Sequence, residues 1–370
     1  MVVDRAQQSP GMALLERVTL ADVEAVRLLL AGNSVIDWHR LAFTDYEQVD
    51  RFLRVNEFDP DNIDDLNRLE ELREEAIEYL TRSFSYRIPD EISDGMPVRD
   101  LLLLASRPSA RKNNYACIIL KAMHVIHHLA GRELLFTLPI SDNELFGYVE
   151  KKVVRVVEEI RSAGYPIVEF AWSRKERDSL ITKLLAKRAS IAANVYDKLR
   201  FRLITRRSED LAPVLFELTH RLVPFNYIIP GESVNGILPF RKLVEETPPL
   251  KRFSTELQHD IDEEKKTAGG NEFSGPGYRI INFVADLPVR IDPYLDDERR
   301  LTYGSVVFVL AEFQVLDAAT ALQNETGENS HNAYKERQVQ RVRARLSGGP
   351  GRGKSATMPV ASDEDPDDDE

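Results

Sequence analysis

The hydrophobic periodicity of the chain changes near Tyr165, and this change constrains the fold more than any other feature. From Val18 to about Gly164, apolar residues recur at three- and four-residue spacing, which indicates helices. From Pro166 onward, short apolar or alternating runs indicate strands. The sequence therefore predicts an α+β fold, in which an all-helical N-terminal region precedes a mixed β-sheet flanked by helices.

Long helices are predicted at residues 61–84, 111–135 and 145–163, and Ser141 to Glu144 form a cap before the third. Strands are predicted at residues 166–172, 198–205, 278–285 and 305–315. Helices are predicted at residues 173–188 and 208–222, and one basic helix is predicted from about Ala318 to Leu346. The charged, Pro- and Gly-containing stretch near residues 231–275 is interpreted as an inserted surface excursion. The predicted domains are residues 1–140 (regulatory or interaction), 141–346 (sheet domain) and 347–370 (disordered acidic tail).

Composition excludes several classes of protein. The formal charge is −12, but seven acidic residues fall within the last eight positions, so the folded part is only mildly acidic. Charge thus argues neither for nor against a nucleic-acid partner. The single cysteine, Cys117, allows no intramolecular disulfide and no cysteine-based metal cage. The sequence has no apolar run long enough to span a bilayer and no signal-peptide pattern at its start, so we expect no membrane contact and a cytoplasmic location.

Two motifs are interpreted as having no chemical role. Gly348, Gly353, Lys354 and Ser355 match the phosphate-binding loop pattern, but a polar helix precedes them and an acidic run follows, where a buried strand and a helix are needed. His124 and His128 share a helix face as zinc-binding pairs do, but no third ligand completes a site. Their expected role is helix packing or a subunit contact, which allows a homo-oligomer formed through the N-terminal region.

A row of polar side chains follows the first predicted strand. Lys175, Ser179 and Lys183 are four residues apart, so a helix places them on one face, where they could bind a polyphosphate. The alternative is a solvated helix face.

Two later strands carry carboxylates and other polar groups. Asp197 precedes the run that contains Arg202, and Glu312 and Gln314 lie within an apolar strand. An ionised carboxylate in an apolar strand needs a cation, so Asp197 and Glu312 are candidate Mg²⁺ ligands. Structural salt bridges are the alternative interpretation.

The order of these motifs resembles the synthetase domain of the RelA/SpoT family. The family pattern G-R-x-K-x-x-x-S-I-x-x-K, Y-D-x-x-x-x-R, G-Y-[RQ]-S, E-x-Q-I-R-T and H-W-x-Y-K has counterparts in one order between about Asp142 and Arg345. The matching residues are Lys175, Ser179 and Lys183; Tyr196, Asp197 and Arg202; Gly277, Tyr278 and Arg279; Glu312 and Gln314; and His331, Tyr334 and Lys335.

The resemblance implies a nucleotidyltransferase-like fold and an ATP-dependent pyrophosphotransferase with Mg²⁺ as cofactor. It assigns ATP binding to Lys175, Ser179, Lys183 and Arg202, and acceptor binding to Tyr278, Arg279, His331 and Lys335. It assigns catalysis to Glu312, Asp197 and Gln314, with a guanine nucleotide, GDP or GTP, as the default acceptor.

The sequence departs from the family pattern at several positions. Ser173 stands where the family has arginine, Leu316 and Asp317 replace the Arg-Thr pair, and Asn282 replaces a histidine. A weakened nucleotide-binding protein or interaction scaffold is therefore one alternative. Pyrophosphorylation of the 3′ end of tRNA is another, with the arginines between 337 and 345 as possible RNA contacts.

Overall fold

A computed structural model describes residues 10–32, 41–107, 112–186, 198–257, 277–326 and 331–346. The sequence preceding the sheet is wholly helical where it is described, as predicted. The helices are α1 (Pro10–Arg17), α2 (Leu20–Ala31), α3 (Tyr46–Val55), α4 (Ile63–Phe84), α5 (Asp90–Ser93), α6 (Val98–Ala105), α7 (Asn113–Thr137), α8 (Asp142–Ser162), α9 (Arg177–Ala186), α10 (Leu211–Arg221), α11 (Phe240–Glu246), α12 (Asp297–Tyr303), α13 (Ala318–Asn324) and α14 (His331–Leu346).

The caps explain where the long helices begin. The Asn62 side chain accepts hydrogen bonds from the first backbone N–H groups of α4, and Ser141 forms a reciprocal capping box with Glu144 at the start of α8. Each cap satisfies backbone donors that have no partner inside the helix. The predicted helices at 61–84, 111–135 and 145–163 are confirmed to within three residues at each end.

The strands form one mixed sheet in the order β1-β2-β5-β4-β3. The parallel pair is β2 with β5, and the other neighbours are antiparallel. This arrangement confirms the predicted α+β fold. Within the described residues, no helix is both long and apolar enough to cross a membrane. The strands are β1 (Ile167–Arg174), β2 (Leu199–Thr205), β3 (Val234–Asn235), β4 (Ile281–Arg290) and β5 (Val306–Asp317).

Stacked phenyl rings hold the four longer strands together on one face of the sheet. Ring centroids are 6.3 Å apart between Phe170 and Phe201, 5.3 Å between Phe201 and Phe313, and 5.2 Å between Phe313 and Phe283. The last three rings are fully buried. Large aromatic side chains dominate core energetics, so this row fixes the register of the strands and leaves the alternating residues on the opposite face.

The N-terminal helices contribute to two hydrophobic cores. Leu15, Val26 and Leu29 belong to the same core as the sheet, whereas α3, α4, α6 and most of α7 surround a second core of their own. The helical region therefore packs on the sheet, and its separate regulatory or interaction role remains a prediction. Gly131 of α7 lies so close to β5 that a Cβ there would be 2.6 Å from Phe308.

Two predictions about the sheet domain are wrong. Residues 231–257 are not a surface excursion, because β3 pairs with β4 and Phe240, Leu243 and Leu250 enter the core of the sheet. Residues 258–276 lie outside the described residues. The basic helix predicted from 318 to 346 is two helices, since α13 ends at Asn324. The predicted acidic tail at 347–370, with its phosphate-loop motif, also lies outside the described residues.

Candidate functional site

The face of the sheet opposite the phenyl rings carries a group of polar side chains. Residues paired across neighbouring strands share a face, so the strand register places them in two adjacent rows. The first row runs from Ser173 through Arg200 to Glu312, and the second runs from Arg202 through Gln314 to Asn282. We call this group, Arg200, Arg202, Asn282, Glu312 and Gln314, the polar face.

Helices cover the polar face at both ends of β5. At one end, Phe308 packs against α7 and its ring lies 4.6 Å from that of His128. At the other end, Leu316 packs with Ala321 of α13. The polar residues lie on the strand segment between these two contacts, so their position is fixed by packing on either side.

Glu312 is the buried acid of the polar face, with 8% of its surface exposed. Arg200 Nε donates to its Oε2 at 2.7 Å, and Gln314 Nε2 donates to its Oε1 at 3.3 Å. The cation that the sequence required for this carboxylate is thus supplied by Arg200. Sequence reasoning missed Arg200, although its spacing of two residues from Arg202 placed both on one face of the strand.

Two polar atoms of the second row have no hydrogen-bond partner among the described residues. They are Arg202 Nε, a donor, and Asn282 Oδ1, an acceptor. Arg202 also faces Glu325, with its Nη2 3.8 Å from Oε1. Buried polar atoms without partners cost free energy, and a polar ligand or a water molecule at this place would lower that cost.

Tyr278 lies at the edge of the polar face, three residues before β4. Its half-buried ring packs against the apolar cluster that contains Ile204 and Leu316. Burial raises the pKa of its hydroxyl, while the positive charges of Arg202 and Arg200 oppose the rise. The hydroxyl is therefore within electrostatic range of both guanidinium groups. The strand predicted to begin at 278 begins instead at Ile281.

Arg279 is held by its backbone rather than by its side chain. Its N–H donates to Asn324 Oδ1 at 3.1 Å, and its carbonyl accepts from Asn324 Nδ2 at 2.7 Å. The Arg279 side chain is exposed. The amide of Asn324 thus attaches the Tyr278 segment to α13 and fixes where the tyrosine enters the site.

The residues predicted to bind ATP phosphates follow β1. The helix predicted to start at 173 starts at Arg177, because Ser173 and Arg174 continue the pairing with β2. Lys175 therefore lies between strand and helix, and its N–H donates to the Lys198 carbonyl at 2.8 Å. Ser179 and Lys183 are half-buried on α9. The strand pairing brings Lys175 to the end of β1 that lies beside Arg200.

The departures from the family pattern have structural explanations. Arg174, one position after Ser173, forms a two-pronged ion pair with Glu150 of α8 at 2.7 and 2.8 Å and faces away from the polar face. Asp317 accepts from the first N–H groups of α13 and caps that helix. Leu316 is buried beneath Tyr278. These positions serve packing and helix initiation.

The structure describes only some of the remaining predicted site residues. Asp197 and Tyr196 lie outside the described residues, so a Mg²⁺ site shared by Asp197 and Glu312 stays a prediction. His331 begins α14 and Lys335 is exposed on its second turn, while the side chains of His331 and Tyr334 are not described.

The histidines of α7 pack as predicted for a helix interface. His128 Nε2 lies 2.8 Å from Asp286 Oδ2 of β4, and His127 contacts the rings of Phe58 and Phe308. In the described part of the chain, no group of three His, Cys, Asp or Glu side chains is arranged to hold a metal ion.

Comparisons with known proteins find structural likeness only. No family model and no curated protein sequence match the chain. Small alarmone synthetase 1 from Bacillus subtilis is 16% identical to this chain, with a TM-score of 0.30. The match spans 54% of this chain and 84% of the synthetase. Small alarmone synthetase 2 from the same organism is 15% identical over 55% and 91%, with a TM-score of 0.29. A GTP pyrophosphokinase family protein from Streptococcus pneumoniae is 14% identical over 55% and 83%, with a TM-score of 0.28. Likeness at this level does not assign a function, which must be argued from the residues of the polar face.

Proposed function

We propose that the polar face is the site of an ATP-dependent pyrophosphotransferase that uses GDP or GTP as acceptor. The observation that carries the proposal is the ion pair between buried Glu312 and Arg200, in the row next to that of Arg202 and within electrostatic range of Tyr278. A carboxylate, a set of phosphate-binding cations and a ring for base stacking are the groups that this transfer requires.

The donor would bind on the β1–β2 side of the site. Arg202 offers an Nε donor that has no partner among the described residues, and Lys175 approaches along the end of β1. Ser179 and Lys183 of α9 would extend this binding region for the polyphosphate. Charge neutralisation and in-line positioning account for most of the catalysis of phosphoryl transfer, so these cations would act by fixing the polyphosphate.

The acceptor would bind on the Tyr278 side. The guanine ring would stack on Tyr278, placing the acceptor hydroxyl near Glu312. In the transfer, the acceptor oxygen bonds to the β-phosphorus of ATP, the bond from that phosphorus to the AMP oxygen breaks, and Glu312 takes the hydroxyl proton. Gln314 holds the second oxygen of Glu312 and orients the carboxylate.

Glu312 and Gln314 are the described residues that would hold Mg²⁺. Glu312 would offer a carboxylate and Gln314 an amide oxygen, both hard ligands, while the second predicted carboxylate, Asp197, lies outside the described residues. Few protein oxygens and several phosphate oxygens are the usual environment of a nucleotide-bound Mg²⁺. When bound, the ion would neutralise charge on the transferring phosphates.

The test is transfer of label from γ-labelled ATP, with Mg²⁺, to GDP, GTP or bulk tRNA, with the products resolved. Guanosine pyrophosphates are expected, and Glu312→Gln should lower their rate by about 10²-fold or more because the proton acceptor is lost. Asp286→Asn is the matched control, since it also changes a buried acid of the sheet but lies in the His128 contact. Label on tRNA alone, or equal rates for Glu312→Gln and the protein without substitution, would contradict the proposal.

Two observations favour a second candidate, a nucleotide-binding protein without transferase activity. Both oxygens of Glu312 are already occupied, and Arg174 is held by Glu150 rather than aimed at the site. This candidate predicts ATP binding in calorimetry with no labelled product from any acceptor.

A further inference from the structure

The ion pair between Arg200 and Glu312 joins two groups with different freedom to move. Glu312 has 10% of its side chain exposed and lies in the middle of β5, whereas Arg200 has 34% exposed and carries a long flexible stem. If the pair opens, Arg200 is the partner that leaves. Among the described residues, Gln314 would then be the remaining donor to the buried Glu312 carboxylate, which is costly unless a cation or proton replaces the guanidinium.

A polyphosphate is a strong competitor for Arg200. A guanidinium binds phosphate oxygens through paired, charge-assisted hydrogen bonds, and a polyphosphate carries more negative charge than one carboxylate. Arg200 lies in the row next to Arg202, and the end of β1 brings Lys175 to the same side. An anion held by Arg202 and Lys175 would therefore lie within the range of motion of the Arg200 side chain.

We propose that Arg200 exchanges partners, binding Glu312 in the free protein and the polyphosphate of the donor in the complex. The proposal rests on the proposed function only in taking the anion to be a polyphosphate. The exchange makes Glu312 available to a cation or to an acceptor proton only after the donor has bound. Arg200 is thus a positioning residue, because donor binding decides whether Glu312 is ion-paired with Arg200 or available for the acceptor.

Thermodynamic linkage predicts the direction in which the anion affinity changes when Glu312 is replaced. If Glu312 competes with the anion for Arg200, removing the Glu312 charge must tighten anion binding through Arg200 itself. A general electrostatic effect of removing one negative charge would also tighten binding, but it would not depend on Arg200. A double-mutant cycle separates the two explanations.

The experiment measures tripolyphosphate affinity by calorimetry without divalent cations, for the full chain and for Arg200→Gln, Glu312→Gln and the double variant. Arg200→Gln should weaken binding about tenfold, the value of one charge-assisted hydrogen bond. Glu312→Gln should tighten binding about fivefold, and this gain should fall below about twofold in the Arg200→Gln background. The matched control combines Glu312→Gln with Arg202→Gln, because Arg202 faces Glu325 and not Glu312. In the Arg202→Gln background, Glu312→Gln should still tighten tripolyphosphate binding about fivefold.

Two results would overturn the exchange: an equal gain from Glu312→Gln in both backgrounds, or no tripolyphosphate binding by any variant. Arg200→Lys keeps the charge and covers the case in which Arg200→Gln does not fold; the gain should persist in that background. The mutant cycle measures binding and does not depend on pyrophosphate transfer. If the cycle shows coupling between Arg200 and Glu312 but the transfer assay gives no labelled guanosine product, the proposed function is refuted and the exchange is supported.

Discussion

Replacing His127 by leucine should stabilise the protein, although it changes a fully enclosed residue of α7. His127 is 5% exposed, and neither ring nitrogen has a hydrogen-bond partner among the described residues. A buried polar group without a partner costs about 1–3 kcal/mol, and leucine has a similar volume and no polar atom. We therefore expect the free energy of unfolding at pH 8 to rise by about 1–2 kcal/mol, after some loss of ring packing.

The pH dependence of stability gives a second, independent readout. Burial, aided by the charge of Arg68, lowers the pKa of His127 from 6.5 to about 3. Between these values the unfolded chain binds a proton that the folded chain does not, so stability falls as the pH drops below 6.5. Between pH 8 and pH 5 this one histidine should remove about 2 kcal/mol, a loss that His127→Leu should abolish.

Urea denaturation at pH 8 and at pH 5 measures both effects. His220→Leu is the matched control, because His220 Nε2 lies 2.8 Å from Asp22 Oδ1 and its loss should destabilise the fold. The reasoning would be refuted if His127→Leu lowered the free energy of unfolding by more than about 1 kcal/mol and left its pH dependence unchanged. That result would mean that solvent entering the adjacent cavity of about 60 Å³ hydrogen-bonds to the ring.

Three further predictions concern other parts of the chain. Tyr278→Ala should weaken GDP binding by about 1–3 kcal/mol and spare ATP, whereas Tyr278→Phe should be nearly silent; calorimetry with each nucleotide decides, and equal losses for both would contradict guanine stacking. Gly131→Val should lower the free energy of unfolding by about 1–3 kcal/mol, because a Cβ there meets the Phe308 ring at 2.6 Å; an unchanged denaturation midpoint would contradict this close approach. Deleting residues 347–370 should leave the melting temperature and ATP affinity unchanged, and loss of ATP binding would restore the phosphate-loop interpretation that we rejected.

The elements of the fold could be predicted from local sequence, whereas their partners could not. Periodicity located α4, α7 and α8, and the cap at Ser141 marked the start of α8, since both signals are local in the sequence. The charged stretch after Pro230 misled because charged, Pro and Gly residues surround its few apolar ones, yet Phe240, Leu243 and Leu250 are buried by the sheet. Whether such a short apolar stripe is buried depends on tertiary contacts that single-sequence patterns do not contain.

The candidate site shows the same division. Glu312 and Gln314 were identifiable because polar residues in an apolar strand are costly, and Arg202 because of the resemblance. Arg200 was not, since its significance comes from the parallel pairing of β2 with β5, which connects residues more than a hundred positions apart. Arg174 stands one position after the place of the family arginine, and its contact with Glu150 comes from the packing of α8 against the sheet, which the sequence pattern does not contain.

The register of β2 and β5 connects the core to the chemistry. The stacked rings of Phe201 and Phe313 fix this register on one face, and the same pairing places Arg200 opposite Glu312 on the other. A shift of one residue would move every side chain to the opposite face, so the site cannot rearrange by sliding its strands. Any change in the partner of Glu312 must therefore come from side-chain movement, and among its described contacts Arg200 is the charged one with the freedom to move.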